Sequence, residues 1–358
     1  METNIADART STRSGRNVVS FIIILILLLS AVSAAAYYRF TSLLTPVSGP
    51  GQAVAKVITV PPGANPVQIG NLLESKGLIK NGTAFRFYAK LSGLDNRLQA
   101  GEFKLNSGLS TPEIIERIAK GDTYKLVFTI PEGYTLKQIA DKLAEKKLVN
   151  RDRFLNLAAN GNFNYSFLRG LPNGPNRLEG YLFPDTYQIA DKTTEEKIMN
   201  MMLTRFAKES AALNLEAMAA KQGLTLKEAV TLASIIEREA QKDEERPKVA
   251  AVFLNRLKKG WRLESCATIQ YILGEPKARL LAKDLQIESP YNTYKYSGLP
   301  PGPISSPGGP SLRAAVNPAD VDYFFFVVAE DGNHIFSRTL KEHNHNKAVY
   351  LDRLKTGQ

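Results

Sequence analysis

The chain has 358 residues, 44% of them hydrophobic and 23% charged, which leaves room for two or three domains and excludes wholesale disorder. A single cysteine, Cys266, excludes an internal disulfide, so an exported fold must be held by its core. The 46 lysines and arginines against 35 acidic residues give a net charge of +11, which suits anionic lipid or acidic cell-wall polymers, and nucleic acid only if the chain stays inside; scattered over the surface it serves solubility alone.

Residues 1–17 form a short tail with Arg9, Arg13 and Arg16. The uncharged run 18–36 just reaches bilayer-spanning length, and the positive-inside rule puts the tail in the cytoplasm and everything after Tyr37 outside. A cleaved signal peptide is the rival reading, since Ala34-Ala35-Ala36 resembles a cleavage site, but the run is long for one. Either way the rest is exported, which argues against nucleic acid. Residues 37–55, rich in Ser, Pro and Gly from Thr41 onward, read as a flexible stalk.

An internal repeat follows. Ile58-Thr-Val-Pro61-Pro-Gly63-x4-Gln68-Ile69-x3-Leu73-x2-Lys76-x-Leu78 recurs without a gap as Phe128-Thr-Ile-Pro131-Glu-Gly133-x4-Gln138-Ile139-x3-Leu143-x2-Lys146-x-Leu148. Each copy predicts a strand, a Pro-x-Gly turn and two short amphipathic helices, with Thr135 and Thr111 as N-caps. Between the copies, residues 98–105 predict a strand and 111–120 a helix. Two copies are too few for a solenoid, so residues 56–175 are expected to be paired small α/β modules. The second copy resembles the opening of a LysM module, which binds N-acetylglucosamine polymers; units of this shape also serve as plain scaffold.

Residues 192–260 read as mostly helical, with helices over 195–214, 226–240 and from Pro247 to Gly260. The middle one opens on a Thr225-x-x-Glu228 capping box. At 100° per residue, Leu226, Ala229, Val230, Ala233, Ile236 and Ala240 share a stripe, with Glu237 in its midst and Glu239 elsewhere. A carboxylate on an apolar face is costly to ionise, so Glu237 is expected to hold a proton near neutrality, as a general acid must. The alternative is a buried glutamate paired with a structural arginine such as Arg238 or Arg256.

Residues 299–310, Leu-Pro-Pro-Gly-Pro-Ile-Ser-Ser-Pro-Gly-Gly-Pro, predict a stiff irregular loop. Residues 323–329 read as a buried strand, 335–337 as its partner across an Asp331-Gly332 turn, and 342–355 as a terminal helix. Overall the pattern is α+β: a membrane anchor, small repeated α/β modules, then a mixed helical and strand domain over 176–358. Several polar clusters in that last domain mix aromatics with amides and hydroxyls: Glu179 and Tyr181; Asn255 and Arg256; Thr268 and Tyr271; and Ser289, Tyr291, Asn292, Thr293 and Tyr294. Such groups suit a sugar, through ring stacking and hydroxyl pairing; singly, each is also ordinary turn chemistry. His334, Glu342, His343 and His345 lack the spacing of a tetrahedral zinc site, so no metal or other cofactor is expected. Phosphate-loop, Gly-x-Ser-x-Gly and His-Glu-x-x-His motifs are absent from the sequence.

From about Val60 to the C-terminus the chain resembles the YceG-like endolytic murein transglycosylases. The marks are Glu179-Gly-Tyr-Leu-Phe-Pro-Asp-Thr-Tyr187, Leu232-Ala-Ser-Ile-Ile-Glu-Arg-Glu239, Val252-Phe-Leu-Asn-Arg-Leu257, the Thr268/Tyr271 pair, Ser289-Pro-Tyr-Asn-Thr-Tyr294, Gly298-Leu-Pro-Pro-Gly-Pro-Ile304 and Phe336-Ser-x-Thr-x2-Glu-His-Asn344. The resemblance implies cleavage of the β-1,4 bond between N-acetylmuramic acid and N-acetylglucosamine inside peptidoglycan strands, leaving 1,6-anhydro ends, beside the peptidoglycan synthases. It places the catalytic glutamate at Glu237 and a sugar cleft around the polar clusters. One departure is Cys266-Ala267, where many relatives have Asp-Pro. Two alternatives stay open: a muramidase using water with Asp185, Glu179 or Glu239 as second carboxylate, and a non-enzymatic wall-binding scaffold.

Overall fold

The structure, a computed structural model, describes residues 12–274, 277, 279–329 and 333–356. Its residue contacts divide the chain into two units, one ending at Lys125 and the other starting at Leu126.

In the first unit, α1 (Thr12–Leu44) includes an apolar stretch, Val18–Leu44, of mean hydropathy 2.9. Its 27 residues span about 40 Å, so it is long and apolar enough to cross a membrane. It runs past the expected end at residue 36, and the segment expected to be a flexible stalk over 37–55 is instead docked. Leu44 is buried, Ser48 N donates to Ser107 O at 2.9 Å, and Val54 N donates to the buried Ser107 hydroxyl at 3.0 Å. Ser107 needs those partners once it leaves water, which is why the loop lies down on it.

β1 (Ala55–Val60) then leads through a turn into α2 (Pro66–Ser75) and α3 (Gly82–Leu91), and β2 (Gly101–Asn106) returns antiparallel with Phe103 opposite Ile58. Asn65 and Gln68 form a capping box on α2. A Cβ at Gly70 would stand 2.7 Å from the Gly82 carbonyl, so α2 and α3 pack backbone to backbone only because both positions are glycine. α4 (Thr111–Lys120) is capped by Ser110, in a box with Glu113, one residue earlier than expected. Ile58, Leu73, Phe85, Phe103, Ile114 and Ile118 form the core.

The second unit opens with the second copy of the repeat. β3 (Leu126–Thr129), α5 (Leu136–Glu145) and α6 (Arg151–Asn160) follow in the order of the first copy, and β4 (Thr186–Ile189) pairs antiparallel with β3. Thr135 caps α5 as expected. α7 (Glu195–Ala212), α8 (Leu215–Lys221), α9 (Leu226–Glu239), α10 (Arg246–Lys258), α11 (Cys266–Leu273) and α12 (Gly309–Val316) come next, then the hairpin β5 (Phe325–Val328) and β6 (His334–Ser337), and α13 (Leu340–Thr356).

One core joins Phe128, Leu143 and Phe154 of the repeat to Leu203, Ile235, Phe253 and Leu312. The second copy therefore shares its interior with the residues after 175, because β3 finds its partner strand only at 186–189. The loop expected through Pro310 ends sooner: α12 starts at Gly309 with Pro310 in its first turn, a position that needs no N–H. β5 is half-buried rather than fully buried. The Asp331-Gly332 turn lies outside the described residues.

Candidate active site

Glu237 sits in the last turn of α9, whose start is fixed by the Thr225/Glu228 capping box and whose Ala229, Val230, Ala233 and Ile236 are buried. Two other segments close over that turn. Ser234 Oγ accepts from Ile304 N at 3.0 Å, and Ser305 Oγ donates to Ser234 O at 3.1 Å, so the Pro/Gly-rich segment lies along the helix. Gly133 N donates to Ser306 O at 2.9 Å and Ser306 N to Tyr134 O at 2.8 Å, which pins the repeat's Pro-Glu-Gly turn beside the same segment. A Cβ on Gly133 would lie 3.8 Å from Glu237 Cγ, an ordinary contact; the φ of +74° is what calls for glycine at this position.

The Glu237 side chain is 5% exposed, and it is not alone among aliphatic groups as the stripe suggests. Oε1 lies 3.2 Å from an Arg246 guanidinium nitrogen, and Oε2 accepts from Gly308 N at 2.9 Å. The partner is neither Arg238 nor Arg256. Arg246, 6% exposed, also reaches Asp243 at 2.9 Å and the Ser311 hydroxyl at 2.5 Å. It arrives from the first turn of α10, where no periodicity within α9 could announce it.

A second carboxylate borders the same spot. Glu132 Oε1 lies 1.8 Å from where a Cβ of Gly308 would be, so its carboxyl occupies the space that the glycine leaves free. Burial and the Glu237 charge push the Glu132 carboxyl up, Arg246 partly opposes them, and Asp243 adds to the rise. The sequence reading missed Glu132. The signal was in the repeat, where the first copy has Pro62 and the second has an acid at the matching position.

On the neighbouring face of α9, Arg238 lines a cavity of about 340 Å³ together with Glu179, Gln270, Tyr271, Ser289 and Tyr291; Glu237 is not part of its lining. Glu179 is 3% exposed; its Oε1 accepts from Leu136 N at 2.8 Å and its Oε2 from the Tyr271 hydroxyl at 3.2 Å. Burial pushes its carboxyl up to about 7 against those two donors. The Tyr271 and Tyr291 rings meet at 5.1 Å, tilted by 45°. A cavity with two rings, a hydroxyl and a buried acid is of the kind that takes up a polar ring such as a sugar.

The YceG-like family model matches residues 58–349. The chain belongs to the YceG-like family. It is 35% identical over 328 residues to an endolytic murein transglycosylase of Bacillus subtilis, covering 88% of this chain and 90% of that one. A Streptococcus pneumoniae protein of the same name is 33% identical over 94% of this chain, which spans 66% of that longer relative. A crystal structure of a YceG-like protein from Listeria monocytogenes superposes with a TM-score of 0.55 at 34% identity, covering 83% of this chain and all of that one.

In this YceG-like chain the remaining sequence candidates are dispersed. Tyr181 is 1% exposed and packs between Phe167 and Phe206 in the core. Asn255 donates to the carbonyls of Val321 and Tyr323 at 2.9 and 3.0 Å, and Arg256 to those of Phe324 and Leu263 at 2.7 and 2.8 Å. Buried Asn292 donates to Leu285 O and Ile287 O at 3.0 and 2.9 Å. Thr268 and Thr293 join hydroxyls at 2.9 Å, also buried. These five brace backbone that lacks regular partners, which is the turn-chemistry reading of the clusters. Tyr294 meets Cys266 Sγ at 3.0 Å. Of the muramidase's second carboxylates, Asp185 pairs with Arg205 at 2.7 Å and Glu239 accepts from Ser265 Oγ at 2.5 Å; neither bonds to a partner of Glu237. His334 pairs with Glu245 at 2.7 Å, and His343 stacks on Phe325 at 5.3 Å.

Proposed function

We propose that this chain is a membrane-anchored endolytic murein transglycosylase with its N-terminus in the cytoplasm. It would cut the β-1,4 bond between N-acetylmuramic acid and N-acetylglucosamine inside glycan strands and leave 1,6-anhydro-muramic ends. The observation that carries the reading is Glu237: a nearly solvent-free carboxyl group within a family match of 58–349, framed by the Pro-Glu-Gly turn and the Pro/Gly-rich segment. Support also comes from the two relatives named for this activity.

In the reaction, protonated Glu237 gives its proton to the glycosidic oxygen as the bond to the anomeric carbon breaks. The 6-hydroxyl oxygen of the same muramyl residue then bonds to that carbon, and its proton returns to Glu237. No water is consumed, and the substrate supplies its own nucleophile, so no second carboxylate need act as nucleophile or base. The neighbouring cavity, with Glu179, Tyr271, Ser289 and Tyr291, would hold an adjoining sugar. The repeat copies would contribute LysM-like contacts to the strand, and cuts made beside a synthase would end a growing chain.

The test is product analysis on uncrosslinked glycan strands with parent and Glu237→Gln proteins. The expected products carry ends one water lighter than reducing ends, and Glu237→Gln loses on the order of 100-fold or more in rate. Reducing ends alone would assign a muramidase. A folded Glu237→Gln protein cutting at the parental rate would remove Glu237 from the chemistry.

A further inference from the structure

Glu237 presents a conflict. A general acid must carry a proton when substrate arrives, yet one oxygen faces the Arg246 guanidinium at 3.2 Å and the other takes the Gly308 N–H at 2.9 Å. Both contacts favour negative charge, and Arg246 is held in place by Asp243 and Ser311. Something must offset that cation for the site to hold a proton at working pH.

We infer that Glu132 is the positioning residue that does so: its carboxyl, set against Gly308 and facing the Glu237–Arg246 pair, supplies the negative charge that lets the pair of acids retain one proton for the cleavage step. This rests on the proposed function of Glu237. The geometry comes from two separated segments. Gly308 gives its N–H to Glu237, and the space a side chain would fill there is taken by the Glu132 carboxyl. Glu132 rides on the Pro-Glu-Gly turn, which is bonded to Ser306 and so kept in register with Gly308.

The charged groups around the pair are few enough to name. Arg246 comes from α10 and Asp243 from the turn before it, where Asp243 already serves Arg246 at 2.9 Å. Arg238, on α9 itself, turns away to the Gly133 carbonyl at 3.3 Å. Glu209 of α7 lies 2.8 Å from where a Cβ of Gly309 would be, and is engaged with Arg205 at 2.8 Å. Among the described residues Glu132 is thus the carboxylate beside Glu237 that makes no ion pair, and burial and the Glu237 charge both push its carboxyl up, as expected of two acids that share a proton.

The role is one of charge, so it has a pH signature. Removing the negative neighbour loosens the proton on the pair, and the basic limb of the pH profile of kcat/KM moves to lower pH. Each pH unit of displacement appears as about a tenfold loss of kcat/KM above the limb, with little loss on the acid side. Glu132→Gln should move the limb down by about one unit or more, while Glu132→Asp keeps the charge and stays nearer the parent. Gly308→Ala tests the same idea without touching either acid: its φ of −78° and ψ of 172° suit alanine, while the new methyl must drive the Glu132 carboxyl away. It should reproduce the Glu132→Gln displacement.

Profiles are to be measured on defined glycan strands with the full chain in detergent, each variant first checked for a parental melting transition. A Glu132→Gln limb that coincides with the parent's, or a uniform fall across pH, overturns the inference while leaving Glu237 as the acid. An active Glu237→Gln protein overturns the function beneath it.

Discussion

Glu179 should make the stability of the second unit fall as pH rises, and replacing it with glutamine should abolish that slope. The residue is 3% exposed, and burial lifts its carboxyl from 4.5 to about 7, so the folded state binds its proton more tightly than the unfolded chain does. The stabilising effect is therefore complete below pH 4.5 and is lost as pH rises through about 7. The full rise corresponds to about 3 kcal/mol, and most of it falls between pH 5 and pH 8. In Glu179→Gln the carbonyl oxygen still accepts the Leu136 N–H, the bond that ties this segment to the first turn of α5. The difference in unfolding free energy, parent minus variant, should thus drop by about 2–3 kcal/mol from pH 5 to pH 8. Trp261 is the single tryptophan and belongs to the second unit, packed against Phe324 and Phe325, so its fluorescence during urea unfolding reports on the right part of the molecule. A parent-to-variant gap that is the same at both pH values would show that Glu179 is ionised throughout, and the desolvation argument would be wrong.

Arg246→Met should destabilise the second unit by about 3–5 kcal/mol, since it leaves the Glu237 carboxylate buried without its cation; a loss under 1 kcal/mol in the same urea assay would show that the pair is not desolvated. Gly180→Ala should lower the melting temperature more than an ordinary surface change, because φ is +83° and the new methyl would stand 2.5 Å from Pro303 Cβ, a ring that has no rotamer to move into; an unchanged melting curve would place that loop elsewhere.

What the sequence discloses here is what depends on neighbours along the chain. The capping box at Thr225, the stripe of Ala229, Val230, Ala233 and Ile236, and the recurrence of strand, turn and two helices in both copies of the repeat are all local, and all are present. Misreadings arose where a partner comes from far away. Arg246 reaches Glu237 from the next helix, and Glu132 reaches it from over a hundred residues upstream. Asn255, Arg256 and Asn292 looked like sugar ligands because amides and cations amid aromatics do bind sugars. Their donors are instead spent on backbone carbonyls between residues 263 and 324, and composition does not reveal which acceptors a donor will meet. Tyr181 shows the converse error: an aromatic in a polar motif was drawn into the core by Phe167 and Phe206.

The Cys266-Ala267 departure from the Asp-Pro of many relatives becomes intelligible once α11 is seen to begin at Cys266. An acid in the first position of a helix faces the positive end of its dipole, and a proline in the first turn lacks only an N–H that the helix does not use. Asp-Pro is thus a helix-start pair on physical grounds alone. This chain meets the same need differently: the Glu239 carboxylate, from the end of α9, accepts the Ser265 hydroxyl at 2.5 Å and the Ala267 N–H at 3.3 Å. A proline at 267 would remove that second donor, and an aspartate at 266 would set another negative charge beside Glu239. In this chain, then, the residues at 266 and 267 bear on how the start of α11 is anchored to the end of α9.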